Sequence, residues 1–303
     1  MLEKIAYGGW PNCYRLSNGL VDLIVTGDVG PRIIHFGLVG AANEFHEVPE
    51  QLGRTGDQDW IFYGGHRLWH APETIGRSNS PDNDPVEITP TTDGLSVLQP
   101  TEPRTGIQKQ IDLTIAPNQA RVTVTHRLTN RSLWAVEFAP WAISVMVAGG
   151  VAILPLPPRG AHDDAHLVPT GTLALWAYTD LSDPRWTWGR QHILLRQDAA
   201  VAGAQKLGVA NLSGWIAYAN HNHLFVKTVE YVAQAAYPDR GSSAELFTEG
   251  VIVELETLAP LTRVAPGETV EYVERWYLFD DVPLPRSEAD VESAVLPLIR
   301  SIL

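Results

Sequence analysis

The sequence predicts an all-β protein, and three observations carry that reading. Apolar and polar residues alternate with period two in segments spread from one end of the chain to the other. Those segments are separated by clusters of Gly, Pro, Asn and Asp, the residues that tight turns require. Helix signals are few, and the best one lies at the C-terminus.

Taken in order, residues 20–25 lead through Gly27-Asp28-Val29-Gly30-Pro31 into residues 32–36, two strands joined by a turn. Residues 107–115 and 120–128 flank Ala116-Pro117-Asn118-Gln119, a hairpin signal. Residues 134–147, 173–178, 192–196, 214–219 and 224–229 also read as strands. Near the end, residues 251–258 and 269–279 flank a turn at Val264-Ala265-Pro266-Gly267-Glu268. Residues 79–90 and 155–164 read as surface loops. Ser287 is placed to cap a short C-terminal helix, with Asp290 three residues on and Val291, Val295, Leu298 and Ile302 along one stripe; Pro297 interrupts its second half. No internal repeat or linker divides the chain, so residues 1–303 are expected to form a single domain.

Bulk properties narrow the function. With 45% hydrophobic residues, ten Trp, nine Tyr and seven Phe, the chain can build a sizeable core, and 19% charged residues is too few for disorder. A formal net charge of -13 argues against nucleic acid or an anionic membrane as partner. The lone Cys13 excludes an internal disulfide and a thiolate zinc site. The start of the chain shows no basic region followed by an apolar run, and the most apolar stretch, 141–155, is broken by Gly149 and Gly150. A cytoplasmic protein without metal or cofactor is expected. The pairs His221/His223 and His162/His166 have ligand-like spacing but no evident third ligand, which favours structural or surface roles.

Two segments stand out chemically. In Val251-Ile252-Val253-Glu254-Leu255-Glu256-Thr257-Leu258 a strand puts Glu254 and Glu256 on one face, roughly 7 Å apart. Paired carboxylates suit proton transfer on a polar ligand, and equally a solvated face. Tyr63-Gly64-Gly65-His66-Arg67-Leu68-Trp69-His70-Ala71-Pro72-Glu73 packs two His, an Arg, aromatic rings and a Glu behind a Gly pair. Arg donates to hydroxyls in a fixed fork, and Trp offers a flat apolar face to a pyranose. Asp239, in the Tyr237-Pro238-Asp239-Arg240-Gly241 turn, can accept a sugar hydroxyl or simply support the turn. Lys227 is either a ligand contact or a solvated charge. GxSxG, P-loop, dinucleotide and HExxH motifs do not occur.

Together with Val253 to Leu261, Ala265-Pro266-Gly267-Glu268 and Glu274-Arg275-Trp276, the Gly64-to-Glu73 and Tyr237-Pro238-Asp239 segments resemble DUF4380, a bacterial family grouped with the galactose mutarotase-like proteins. The resemblance runs from about Tyr14 to Phe279. It implies a β-supersandwich of two large, mostly antiparallel sheets, with a sugar site in the concave surface of one. Aldose 1-epimerases use a late-strand glutamate as base in a Leu-Glu-x-Gln context. Leu255-Glu256-Thr257-Leu258 is similar, with Leu258 in place of Gln, which puts Glu256 at the base position. Tyr63-Gly64-Gly65-His66-Arg67 is similar to the Gly-Gly-x-Pro of hexose-6-phosphate epimerases, with Arg67 in place of Pro. The strand that carries their catalytic His corresponds here to Phe138-Ala139-Pro140-Trp141, which has none; Trp141 stands in that place.

The resemblance implies a small-molecule sugar as the partner and leaves three readings of function. In the first, an aldose or hexose 1-epimerase, Glu256 takes the anomeric proton, His66 or His70 supplies the acid and Glu254 raises the pKa of Glu256. Arg67, Trp69, Trp141, Asp239, Glu254 and Lys227 would hold the sugar. The second is a non-catalytic sugar-binding protein, favoured by the missing strand His. The third, a polysaccharide lyase or glycosidase-like enzyme, requires its acids to flank the scissile bond, whereas Glu254 and Glu256 lie side by side.

Overall fold

The computed structural model describes residues 1–164 and 166–303. Two antiparallel sheets lie face to face. The 11-stranded sheet runs in the order Leu2–Tyr7, Trp10–Ser17, Val21–Val25, Arg32–Leu38, His66–Ala71, Val136–Met146, Ile252–Leu258, Ala244–Glu249, Gln205–Val209 and Leu173–Leu175, with Thr262–Val264 paired to the outer part of Val136–Met146. The 10-stranded sheet runs Trp186–Trp188, His192–Arg196, Val151–Pro155, Trp215–Asn220, His223–Val229, Thr269–Phe279, Arg121–Asn130, Ile107–Ile115, Gly94–Leu98 and Glu87–Pro90.

Alternation decides what each face meets. Residues such as Leu23, Phe36, Leu68, Leu246, Val253 and Leu255 turn inward from the first sheet and meet Val97, Ile111, Val124, Leu195, Phe225 and Trp276 of the second. At the middle of this core Trp276 meets Phe36, Phe45 and Phe225 with ring centroids 5.5–5.7 Å apart, mostly edge-to-face. The outer face of the second sheet buries Val151, Ile153, Leu194 and Val226 under the C-terminal helical segment through Val291, Val295 and Ile299.

That segment is capped by Ser287, whose hydroxyl accepts from the Asp290 N–H. It passes through a π-helical turn, Val291–Val295, before Leu296–Arg300, so Pro297 sits in the first turn of a new helical piece, where its missing N–H is tolerated. Ile299 takes the deeply buried place in the stripe that the sequence pattern assigns to Leu298. The expected loop 79–90 ends in a strand, Glu87–Pro90; as the edge of its sheet it accepts a proline that a central strand would reject.

The other face of the 11-stranded sheet carries charge and tryptophan at its centre. Chain connections, including the segment with Trp60 and Phe62, form a wall there.

Candidate functional site

Five neighbouring strands build the site. Across His66–Ala71 and Val136–Met146, Trp69 lies opposite Trp141 and Arg67 opposite Ile143. Ile143 in turn faces Glu256, Glu256 faces Glu245 and Glu254 faces Phe247. Lys206 lies opposite Phe247 on the next strand. With period-two alternation these residues share one face of the sheet. All of them except Glu245 and Glu256 line a cavity of about 390 Å³, with Trp60, Phe62 and Tyr178 completing its aromatic wall and Arg67, Lys206, Glu254, Glu73 and Glu249 as its charged residues.

Both cations are held in aromatic surroundings and paired with acids. Arg67 Nη2 donates to Glu254 Oε1 at 2.9 Å. Its guanidinium carbon lies 4.8 Å from the Trp69 ring, 5.0 Å from Phe62 and 5.6 Å from Trp60. Arg67 Nε and Nη1 are buried with no hydrogen-bond acceptor. Burial pushes the Glu254 carboxyl above its usual range, a shift that the Arg67 charge reduces without reversing.

Lys206 Nζ donates to Glu256 Oε2 at 2.8 Å and contacts Glu245 Oε2 at 2.9 Å. It sits 4.9 Å from the Trp141 ring and 4.8 Å from Trp176. Burial disfavours its charge, but the two carboxylates overcome this and raise its pKa. Glu245, opposite Glu256 in the register, is pushed well above the usual carboxyl range by burial and by the Glu256 charge, against the pull of Lys206. Gly208 makes the arrangement feasible, since a Cβ there would stand 2.3 Å from Ser242 Oγ and 3.1 Å from Glu245 Cγ.

The two carboxylates of the late strand therefore differ in position. Glu254 lines the cavity, whereas Glu256 is fully buried behind Lys206 and Trp141, whose Nε1 donates to Glu256 Oε2 at 2.8 Å.

Three sequence candidates point between the two sheets, His66 and His70 from the 11-stranded sheet and Lys227 from the 10-stranded one, which corrects their expected place beside the sugar. His66 and His70 alternate with Arg67 and Trp69, so they point between the sheets. His66 Nδ1 is 2.8 Å from Ser144 Oγ, and its Nε2 is 2.8 Å from His126 Nε2; His126 Nδ1 in turn lies 3.2 Å from the Tyr272 carbonyl oxygen. Because a carbonyl only accepts, His126 carries its proton on Nδ1 and receives that of His66 on Nε2. Burial, with the Lys227 and His126 charges beside it, holds the His66 pKa well below its usual value. His70 is fully buried, 3.8 Å from Glu102, and its pKa is lowered by burial. Lys227 is also wholly interior, donating to Glu274 Oε1 at 3.0 Å and to the Leu255 carbonyl at 3.2 Å.

His66, His126 and Glu274 bring ligand-type atoms within 4.8 Å of one another. Glu274 already accepts from Lys227, Thr257 and Trp276, and the imidazoles bond each other. The Lys227 ammonium thus supplies the positive charge that a cation would bring. The cluster is a polar seam joining the sheets.

Asp239 lies apart from the main cavity, in a second, smaller one. His223 bonds Glu44 at 2.6 Å and His221 sits in a turn at positive φ, while His166 bonds Asp163 at 2.6 Å on an exposed loop; Ala165 of that cluster lies outside the described residues. Lys206, Trp60, Phe62 and Tyr178 complete the site without having been singled out from the sequence. The signal was there for Lys206, a lone cation in the alternating run Gln205-Lys206-Leu207-Gly208-Val209, and for Trp60 and Phe62 just ahead of the Gly pair.

No helix among the described residues is long and apolar enough to cross a membrane. No family model and no curated protein matches the sequence. Solved structures do match in fold. A galactose mutarotase-like protein from Lactobacillus casei ATCC 334 aligns with TM-score 0.57 at 9% identity, covering 88% of this chain and 100% of that one. The Slr1438 protein from Synechocystis sp. PCC 6803 aligns with TM-score 0.58 at 11% identity over 91% and 99%. A galactose mutarotase related enzyme from Lactobacillus acidophilus aligns with TM-score 0.52 at 9% identity over 90% and 99%. The two antiparallel sheets and short C-terminal helix are thus a galactose mutarotase-like fold.

Proposed function

We propose that the protein is a carbohydrate-binding member of the mutarotase-like class, of the DUF4380 type, acting in the cytoplasm. One observation carries the reading: a cavity walled by indole rings that is also lined by the paired Arg67 guanidinium and Glu254 carboxylate. Indole faces take the C–H side of a sugar ring, and the Arg67 fork and Glu254 take its hydroxyls. Both cations are already neutralised by carboxylates, so the pocket suits an uncharged sugar better than a phosphorylated one. Calorimetric titration with glucose, galactose and their methyl glycosides tests this. Binding that weakens in Arg67→Met and Trp69→Ala variants is expected; no binding by any of these sugars overturns it.

Anomer interconversion is the second reading. The raised pKa of Glu254, at the cavity surface, favours it, because such a carboxylate is a stronger base. The acid is the weak point. His66 and His70 face away, and the Lys206 ammonium is held protonated by two carboxylates. Binding without fast turnover is the better supported of the two. NMR exchange between glucose anomers, compared in Glu254→Gln and Glu256→Gln variants, separates them: catalysis lost with Glu254 would establish the enzyme.

A further inference from the structure

A second cavity, of about 160 Å³, opens beside the first and is lined by Ala174, Leu175, Trp176, Asp239 and Arg240. It is too small to hold a ligand by itself, since self-standing small-molecule sites begin at roughly 300 Å³. It is also not separate. The Trp176 ring on its wall lies 4.8 Å from Lys206 Nζ, and Lys206 lines the larger cavity.

The backbone at this place is held in a costly shape. Asp239 and Arg240 are both in the left-handed region, at φ 48° and 62°, and Gly241 follows at 95°. Consecutive left-handed residues other than glycine are unfavourable for L-amino acids and persist only where the surroundings enforce them. Here Ser242 does so, its Oγ donating to the Asp239 carbonyl and its N–H to that of Pro238, both at 2.9 Å. The strained turn puts a carboxylate and a guanidinium on the lining of the cavity that Trp176 also lines. Nearby, Glu245 is fully buried, and neither of its carboxyl oxygens has a hydrogen-bond donor apart from the ionic contact with Lys206.

We propose that the small cavity is a second sugar subsite, so that the ligand is a disaccharide or longer glycan with its glycosidic link over Lys206. The proposal rests on the carbohydrate reading of the larger cavity. Trp176 stacks on the second ring, while Asp239 accepts from its hydroxyls and Arg240 donates to them. The carboxylate of Asp239 disfavours an anionic group here.

Calorimetry with methyl glucosides and methyl galactosides against maltose, cellobiose and lactose tests it. One stacking contact with one or two hydrogen bonds gives a disaccharide about tenfold tighter than its monosaccharide glycoside. Arg240→Ala and Trp176→Leu should bring that ratio below about threefold, whereas Trp69→Ala should weaken both ligands and leave the ratio. If a monosaccharide binds and no disaccharide gains over it, the second subsite is overturned and the main pocket stands. A gain that survives both subsite variants overturns its location. If neither class binds, both readings fall.

Discussion

Lys206→Met is the most incisive perturbation, because it keeps the length of the side chain while removing the charge from between two carboxylates. Lys206 Nζ is 2.8 Å from Glu256 and 2.9 Å from Glu245, with both acids fully buried. Glu245 and Glu256 are direct cross-strand partners, a placement that like charges resist. Removing one partner of a buried ion pair costs about 3–5 kcal/mol, because the remaining charge is left without water or counter-ion. Part of that is relieved by protonation of Glu245, whose pKa burial and Glu256 already raise. The lower end, about 3 kcal/mol, is therefore expected near neutral pH. For a chain of 303 residues, with unfolding entropy near 2 cal/mol/K per residue, this is a fall in melting temperature of roughly 5 °C.

Differential scanning calorimetry at pH 7 measures the loss, and a second variant makes the test sharp. Glu245→Gln alone should cost under about 1 kcal/mol, since it replaces a carboxyl that is easily protonated by an isostere. Combined with Lys206→Met, it should recover at least half of the lost stability. If Lys206→Met melts within 1 °C of the wild type, or the double variant is no better than the single, the Lys206-bridged acid pair is not what holds these strands together.

The same geometry sets three further outcomes. Lys227→Met should cost about 3–5 kcal/mol by stranding Glu274, yet leave sugar affinity of the folded protein within about twofold, because Lys227 extends from the 10-stranded sheet into the space between the sheets, away from the cavity; urea denaturation and calorimetric titration check the two halves. Gly208→Ala should cost about 1–3 kcal/mol by driving Ser242 and Glu245 apart, and a melting curve matching the wild type would refute the contact. Acid sensitivity is the third. Burial lowers the His126 pKa to about 4, against the pull of Glu274, so the unfolded chain takes up a proton below its ordinary 6.5 while the folded one resists. That stability is present above pH 6.5 and lost as pH falls towards 4, about 1.4 kcal/mol per pH unit. Glu102 extends the loss from 4.5 down to about 2: burial works against its charge, but Lys109, His70 and Thr105 outweigh it. Glu245 and Glu254, with raised pKa values, have the opposite sign, favouring the fold below about pH 4.5 and losing that contribution as pH rises. A His126→Gln variant isolates the histidine: its urea stability should fall less steeply between pH 6.5 and 4, and identical slopes would refute the assignment.

The sequence was most readable where one face of a strand differs in chemistry from the other. Ile107–Ile115 and Arg121–Asn130 alternate buried and half-buried residues almost without exception, and their hairpin is found where its pattern places it. His66–Ala71 is buried at every position. There period two divides His66, Leu68 and His70 from Arg67, Trp69 and Ala71 but says nothing about which set faces the other sheet. Arg67 and Trp69 line the cavity, while the histidines that alternate with them face the other sheet, one step away from their expected place. The same sheet explains Glu256, whose face was readable but whose depth depends on Lys206, supplied by a strand some fifty residues earlier. Short strands such as Leu173–Leu175 and Trp186–Trp188 carry too few residues to display a period.

The aromatic surroundings of Arg67 and Lys206 have a thermodynamic consequence. Each long cationic side chain carries roughly 2 kcal/mol of rotamer entropy in the unfolded state. In this fold that freedom is lost before any ligand arrives, because rings and carboxylates already fix both groups. A sugar entering the cleft has little left to immobilise, so free and bound forms should superpose closely. Selectivity would then come from the shape of a rigid surface, with discrimination expressed chiefly in how slowly a well-matched sugar leaves.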